Sequence, residues 1–279
     1  MNFQESEAFA ARCHQDVLTV TNFMVNKVKP LSDSVNLASD RDVYIHGLYF
    51  RAIAWMLSLS KLNEGVDFQP IVSGARSFLE ITTDLVLIHY DKTNESGWRM
   101  RWWGESLKLK SANALVQFFN NRAHKPIANE HQDVADFVIN QEAGIKHMRK
   151  MLWPDPDDPN KGRHPGRWTD RSNLLDDVRE ADRLHGSVIE KHFGSNLEEF
   201  YETEYRRMNW NVHGSGLTGV RDLDEVGINI MRALGYNWSA KLAMTCTDVV
   251  LRDFKDSGMI GTIDYVIPEA EYISVNLVK

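Results

Sequence analysis

The sequence predicts a mainly α protein, a multi-helix bundle-like domain, and three observations predict it. Positions such as Leu223, Gly227, Ile230, Leu234, Trp238, Leu242, Cys246 and Val249 recur at three- and four-residue steps, the period of one face of an α-helix. The stretch 71–90 is apolar over most of its circumference, yet carries Arg76, Glu80 and Asp84 four residues apart, so its charges share one narrow stripe. Alternation with a period of two is confined to the tail, which allows a small C-terminal β-hairpin. The expected organisation is a single helical domain over 1–279, with an irregular crossover loop at 154–168 and a β tail within 261–278.

In chain order, 3–28 reads as a first helix, closed by a turn-prone segment at Pro30 to Ser34. Tyr44, Leu48, Ile53, Met56 and Leu59 form a second stripe, widened by Trp55 and Leu57. Gly65, Asp67 and Pro70 punctuate the chain before the helix at 71–90. In a helix this apolar, the Arg76, Glu80 and Asp84 stripe is either a buried ion network or the wall of a pocket, because a buried charge needs a partner.

Residues 94–104 read as a connector in which Trp98, Arg99, Arg101, Trp102 and Trp103 alternate, able to clamp a nucleotide or to pin a loop over the core. Helices are expected at 107–119 and 130–152. Between them, Pro126 breaks any face shared by His124 and His131, and no metal site is assigned there. The segment 154–168 holds four prolines and two glycines and turns from acidic to basic, which prevents regular structure.

Thr169 or Asp170 can start the next helix, through Leu174, Leu175, Val178, Ala181, Leu184, Val188 and Ile189. Asn196 caps a short helix through Leu197, Phe200, Tyr201 and Tyr205, with Glu198 and Glu199 in its first turn. The last long helix is expected from near Gly219, with Arg221, Arg232 and Arg252 on its exposed side. In the tail, Ile263, Tyr265 and Ile267 alternate, Pro268 interrupts, and 272–277 favours a second strand.

Composition limits the function. An apolar fraction of 43%, with eight Trp and twelve Phe among 279 residues, excludes a mainly disordered chain. A formal charge of −7, from 39 acidic and 32 basic residues, supplies no global field for nucleic acid. Any such site must be a local pocket. The first residues lack a basic stretch followed by an apolar one, and no run approaches the length of a membrane span. A soluble, cytoplasmic protein with no membrane partner is expected, with Cys13 and Cys246 as buried thiols rather than a disulfide.

The chemistry-bearing segment is Tyr205-Arg206-Arg207-Met208-Asn209-Trp210-Asn211-Val212-His213-Gly214-Ser215-Gly216. An arginine and a histidine held together can bind a phosphodiester and move its proton, the minimum equipment for metal-independent RNA cleavage. The same residue types also meet in helical cores through charge-assisted hydrogen bonds. The catalytic candidates are Arg207, His213 and Arg206. Arg76, Glu80 and Asp84 are the supporting or pocket residues, with Glu80 placed either to orient His213 or to pair with Arg76. No metal ligand and no cofactor is assigned.

Three blocks carry a family resemblance: Ala75-Arg76-Ser77-Phe78-Leu79-Glu80, Gly166-Arg167-Trp168-Thr169, and 205–215. Together, over about 43–250, they resemble an uncharacterised prokaryotic all-helical family broadly similar to HEPN-type nucleotide-binding and ribonuclease domains. The resemblance implies an arginine, four to six residues, then a histidine, which Arg207 and His213 fit with five between and Arg206 with six. It also implies an endoribonuclease acting on RNA, an antiphage or toxin-like role, and a homodimer with the Arg-His site at its interface. The alternative is a noncatalytic helical module that binds a nucleotide, RNA or a protein.

Overall fold

Polar residues ahead of the apolar runs decide where the helices start. The computed structural model describes residues 1–91, 93, 95–121, 132–158, 160–212, 224–256, 258 and 263–277. Asn2 accepts from the Glu5 backbone N–H and Glu5 from that of Asn2, both at 2.9 Å, a reciprocal cap that opens α1 (Phe3–Phe23). A π-helical turn, Met24–Val28, continues into α2 (Lys29–Ser34). The expected turn at Pro30 is therefore helical, since proline's fixed φ suits a helix and Pro30 falls in the turn that follows the π-helical one. Ser39 and Asp42 repeat the reciprocal cap for α3 (Asp40–Leu59), and a 3-10 turn, Gly65–Asp67, leads into α4 (Phe68–Tyr90).

The chain continues through α5 (Glu95–Asn120), α6 (Gln132–Leu152), α7 (Leu174–Phe193), α8 (Leu197–Phe200), a π-helical turn (Tyr201–Tyr205), α9 (Arg206–Val212), α10 (Glu225–Asp256) and α11 (Ile267–Leu277). The fold is mainly α, as the periodicity predicts. Among the described residues the only β pairing is an isolated bridge between Pro154 and Gly162, and no helix is long and apolar enough to cross a membrane.

The chain forms two compact units, Met1–Lys92 with Leu175–Lys279, and Thr93–Leu174. In the first, α10 packs on α4 and α1, and α3 packs on α4. Phe23, Tyr49, Met56, Phe78, Tyr236 and Phe254 are sealed between these helices, each contributing roughly 1.5–3 kcal/mol by leaving water. The closest approach is at Gly235, where a β-carbon would stand 2.7 Å from Ile71 Cγ2 and 3.2 Å from the Ile71 carbonyl. Cys13 and Cys246 are buried free thiols, pushed by burial up to about 11 and about 12.

A buried ion cluster ties the end of α4 to its neighbours. The Arg41 guanidinium donates to the Ile88 and His89 carbonyls at 3.2 and 3.1 Å, satisfying acceptors that a helix end leaves open. It also meets Asp253 on α10 at 2.6 Å, while His89 Nδ1 lies 3.3 Å from the same oxygen. Burial alone would raise the Asp253 pKa, but the His89 hydrogen bond and the Arg41 charge outweigh it and hold the carboxyl below its ordinary range.

In the second unit, α5 packs on α6 around Met100, Leu109, Ala112 and Ile145. The irregular segment folds back through Arg163 N–H to the Trp153 carbonyl at 2.9 Å and Asp155 N–H to the Lys161 carbonyl at 3.1 Å.

Four expectations are corrected. Residues 95–104 are not a connector but the opening turns of α5: helix-compatible residues and the Glu95–Arg99 pair at 3.7 Å prevail over Gly97 and Gly104. The tail is a helix rather than a β-hairpin. Val266, Ala270, Ile273, Ser274 and Leu277 are buried at helical spacing, whereas Tyr272 and Val275 face outward, and Pro268 lies in the first turn. Arg232 is buried rather than exposed; it donates to Asn229 Oδ1 at 3.1 Å and to the Asn63 carbonyl. Finally, α7 starts at Leu174, because Asp170 has φ 69°, a left-handed conformation that no helix interior accepts. His124, His131, Gly219 and Arg221 lie outside the described residues.

Two substitutions test the packing at the α4 contact. Gly235→Ala forces Ile71 and its backbone to move, so urea denaturation should show a loss of about 1–3 kcal/mol. Gly47→Ala, where nothing lies within 4 Å on α3, should gain about 0.5–1 kcal/mol. The Asp253 cluster is read by pH. Because its folded pKa lies below the unfolded one, its contribution is complete above about pH 4 and is lost as pH falls through the folded value. Asp253→Asn should cost about 3 kcal/mol at neutral pH and flatten the acid limb of stability against pH.

Candidate functional site

The start of α8 is fixed by two acceptors. Asn196 Oδ1 accepts from the Glu199 N–H at 2.7 Å, the cap the sequence predicts. The Asp182 carboxylate on α7 accepts from the Leu197 and Glu198 N–H groups, each at 2.9 Å. Leu197, Phe200 and Met208 are buried, and the Phe200 ring meets Trp238 of α10 at 4.6 Å. These anchors set the path of the π-helical turn and of α9, which packs on α4.

Tyr205, the last residue of that turn, is 7% exposed and donates its hydroxyl to Glu80 Oε1 at 3.1 Å. The Arg76 guanidinium lies over its ring, 5.1 Å from the centroid. Tyr201 stacks on Tyr205, with centroids 5.0 Å apart and planes 16° apart, and the Arg206 guanidinium sits 5.7 Å from the Tyr201 centroid. The order is cation, ring, ring, cation, joined by cation–π attraction to the ring faces. Burial raises the Tyr205 pKa first of all; Arg76 opposes the rise and Glu80 adds to it, so the phenol stays protonated and acts as a donor.

The structure therefore brings Arg76 and Glu80 onto the segment that leads into Arg206 and Arg207. Asp84, one turn further along α4, is 9% exposed. Arg206 and Arg207 are exposed and pair with their own segment: Arg206 with Glu202 at 2.9 Å, Arg207 with Glu204 at 3.0 Å. His213 follows α9 directly and lies outside the described residues, as does the rest of 213–223. Among the described residues, Arg76 Nε, Thr83 Oγ1 and Asn209 Oδ1 are buried without a hydrogen-bond partner. Such atoms carry a desolvation penalty of about 1–3 kcal/mol each.

Sequence reasoning missed Tyr201, Glu202 and Glu204 as members of this cluster and gave Tyr205 no role of its own, naming both tyrosines only as positions of a short helix. Their signal was present in the four-residue spacing of the two tyrosines and in glutamates three and four residues before the arginines.

Two histidines are held in other buried clusters. Tyr90 Oη lies 2.8 Å from His185 Nδ1, and His185 Nε2 lies 3.3 Å from Asp248, which accepts from Arg252 at 2.6 Å. This chain ties α4, α7 and α10 together around an imidazole with no exposed side-chain surface. His46 meets the Ser32 hydroxyl at 2.7 Å, and burial lowers its pKa, which keeps it neutral. Neither imidazole is open to a substrate. Among the described residues no group of three or more His, Cys, Asp or Glu side chains is arranged to hold a metal ion.

Tyr205→Phe removes only the bond to Glu80 and should cost about 1 kcal/mol in urea denaturation. Tyr205→Ala also removes the ring between Arg76 and Tyr201 and should cost about 3–5 kcal/mol. Equal costs would assign the stabilisation to the hydroxyl rather than to the stack.

No protein-family model, curated protein or solved structure matches this chain.

Proposed function

We propose that this chain is a metal-independent endoribonuclease using an Arg-His pair, Arg207 and His213, with Arg206 beside them. The observation that supports the reading is the Tyr205–Glu80 hydrogen bond beneath Arg76. It fixes the polar stripe of α4 to the segment that carries both arginines and ends one residue before His213.

In this scheme an RNA 2′-hydroxyl attacks the adjacent phosphorus while the bond to the 5′-oxygen breaks. His213 assists the proton transfer from the attacking oxygen to the leaving one, and Arg207 and Arg206 stabilise the charge that develops on the phosphoryl oxygens. Glu202 and Glu204 hold the two guanidiniums in the free protein. The exposed Arg206–Glu202 pair is worth about 0–1 kcal/mol, so a phosphodiester displaces it at small cost and gains stronger charge-assisted bonds. Arg76, Glu80 and Tyr205 are positioning residues. The net charge of −7 opposes indiscriminate RNA binding.

The carboxylate pairing of both arginines favours one second reading, a noncatalytic helical module that recognises a phosphate of RNA or a nucleotide through the same guanidiniums. End-labelled single-stranded RNA and its all-deoxy counterpart separate the two. The ribonuclease cleaves only the ribose strand and leaves a 2′,3′-cyclic phosphate. His213→Ala should lower the rate by about 100-fold or more, and Arg207→Ala by about 100-fold. Equal cleavage of the deoxy strand, or full activity in His213→Ala, would sink the mechanism, while RNA binding without cleavage selects the second reading.

A further inference from the structure

The second unit holds a cavity of about 350 Å³ whose described lining includes no carboxylate. Lys110, Asn113 and Gln117 project into it from α5, spaced three and four residues apart and so on one helix face. Lys146 and Arg149 face them from the last turns of α6, and His164 closes the cavity from the irregular segment. That segment comes so close that a β-carbon on Gly162 would stand 2.5 Å from the Lys150 nitrogen and 2.6 Å from the Arg149 carbonyl carbon. Only glycine lets the loop lie against α6 and bring His164 to the opening.

Arg149 is set in place by its Nε–H, which donates to the Gly162 carbonyl at 3.1 Å. Its Nη1 lies 2.5 Å from His164 Nε2, a separation that makes the ring nitrogen an acceptor and the imidazole neutral. Burial lowers the His164 pKa, and the charges of Arg149 and Lys110 lower it further; burial also lowers that of Arg149. Glu142 pairs with Lys146 at 2.8 Å, but Lys110 has no carboxylate partner among the described residues. In a chain with seven more acids than bases, three cations and a histidine gather here with Glu142 paired to Lys146 alone, and the remaining repulsion is relieved by an anion.

We propose that this cavity binds a phosphorylated small molecule of mononucleotide size, its phosphate held by Arg149, Lys110 and Lys146 and its polar body by the Asn113 and Gln117 amides. A fixed guanidinium beside two mobile ammonium groups suits a phosphate better than a carboxylate, because it combines bidentate hydrogen bonding with excess charge. The volume lies at the small end of ligand pockets, about 300–1,000 Å³. Three walls, two helices and a loop, favour a free ligand over a polynucleotide strand. The site shares no residue with the Arg207 and His213 scheme and stands independently of it.

Calorimetric titration of the full chain with adenosine monophosphate, adenosine, inorganic phosphate and a short single-stranded RNA tests the proposal. The monophosphate should bind with an affinity that falls as salt rises, inorganic phosphate should compete with it, and adenosine should bind about tenfold more weakly or worse. The exposed pair Lys110→Glu and Lys146→Gln should leave the urea midpoint unchanged and weaken the monophosphate by about tenfold or more. Unchanged affinity in that double variant, adenosine binding as tightly as its monophosphate, binding of RNA alone, or no monophosphate binding at concentrations on the order of 1 mM would each overturn it.

Discussion

The approach of α10 to α4 at Gly235 and Ile71 is the constraint on which the first unit depends. It leaves α4 with α10 on one side and α3 on another, so nearly every residue from Ile71 to Ile88 is buried. A helix so enclosed has nowhere to solvate a charged stripe. Arg76 and Glu80 are carried to the side taken by α9, where the Tyr205 ring and hydroxyl answer one cation and one carboxylate. The carbonyls at the end of α4 meet the same shortage of water and are answered by Arg41, itself balanced by Asp253. The candidate site and the ion cluster are thus two responses to one buried helix.

Legibility in the sequence followed the kind of force involved. The apolar periodicity of α4 and α10 is imposed by burial and reads directly, for α4 within a turn of the observed bounds. The Asn196 cap reads because a side-chain oxygen before an acidic first turn has a local role. The tail misread because β-branched and aromatic residues at 272–275 argue for a strand in isolation, whereas Val266, Ala270, Ile273 and Leu277 follow a helical face that only tertiary packing rewards. Arg232 misread because nothing local announces that the Asn63 carbonyl, far away in sequence, will satisfy a guanidinium in the core.

The candidate site was legible in its charges and not in its rings. Arg76, Glu80, Arg206 and Arg207 stand out as polar residues in apolar surroundings, but Tyr201 and Tyr205 look like core until the chain is folded and their stacked faces lie between two guanidiniums. The cationic cavity between α5 and α6 was invisible for a different reason. Its members come from two helices and an irregular loop, and a chain with a net charge of −7 gives no compositional hint that cations will converge.

The π-helical turn at Tyr201–Tyr205 also sets how the segment tolerates changes of length. A π turn holds one residue more than the regular helix around it, and each residue of an α-helix advances the chain by roughly 100° about its axis. Loss of a single residue here would let the turn relax to ordinary α geometry at little energetic cost. Because the lost residue is the one the wide turn had absorbed, Arg206, Arg207 and everything beyond them would keep their angular position against α4. The turn thus tolerates the loss of one residue, whereas a loss within the regular helix on either side would rotate the residues beyond it by roughly 100°.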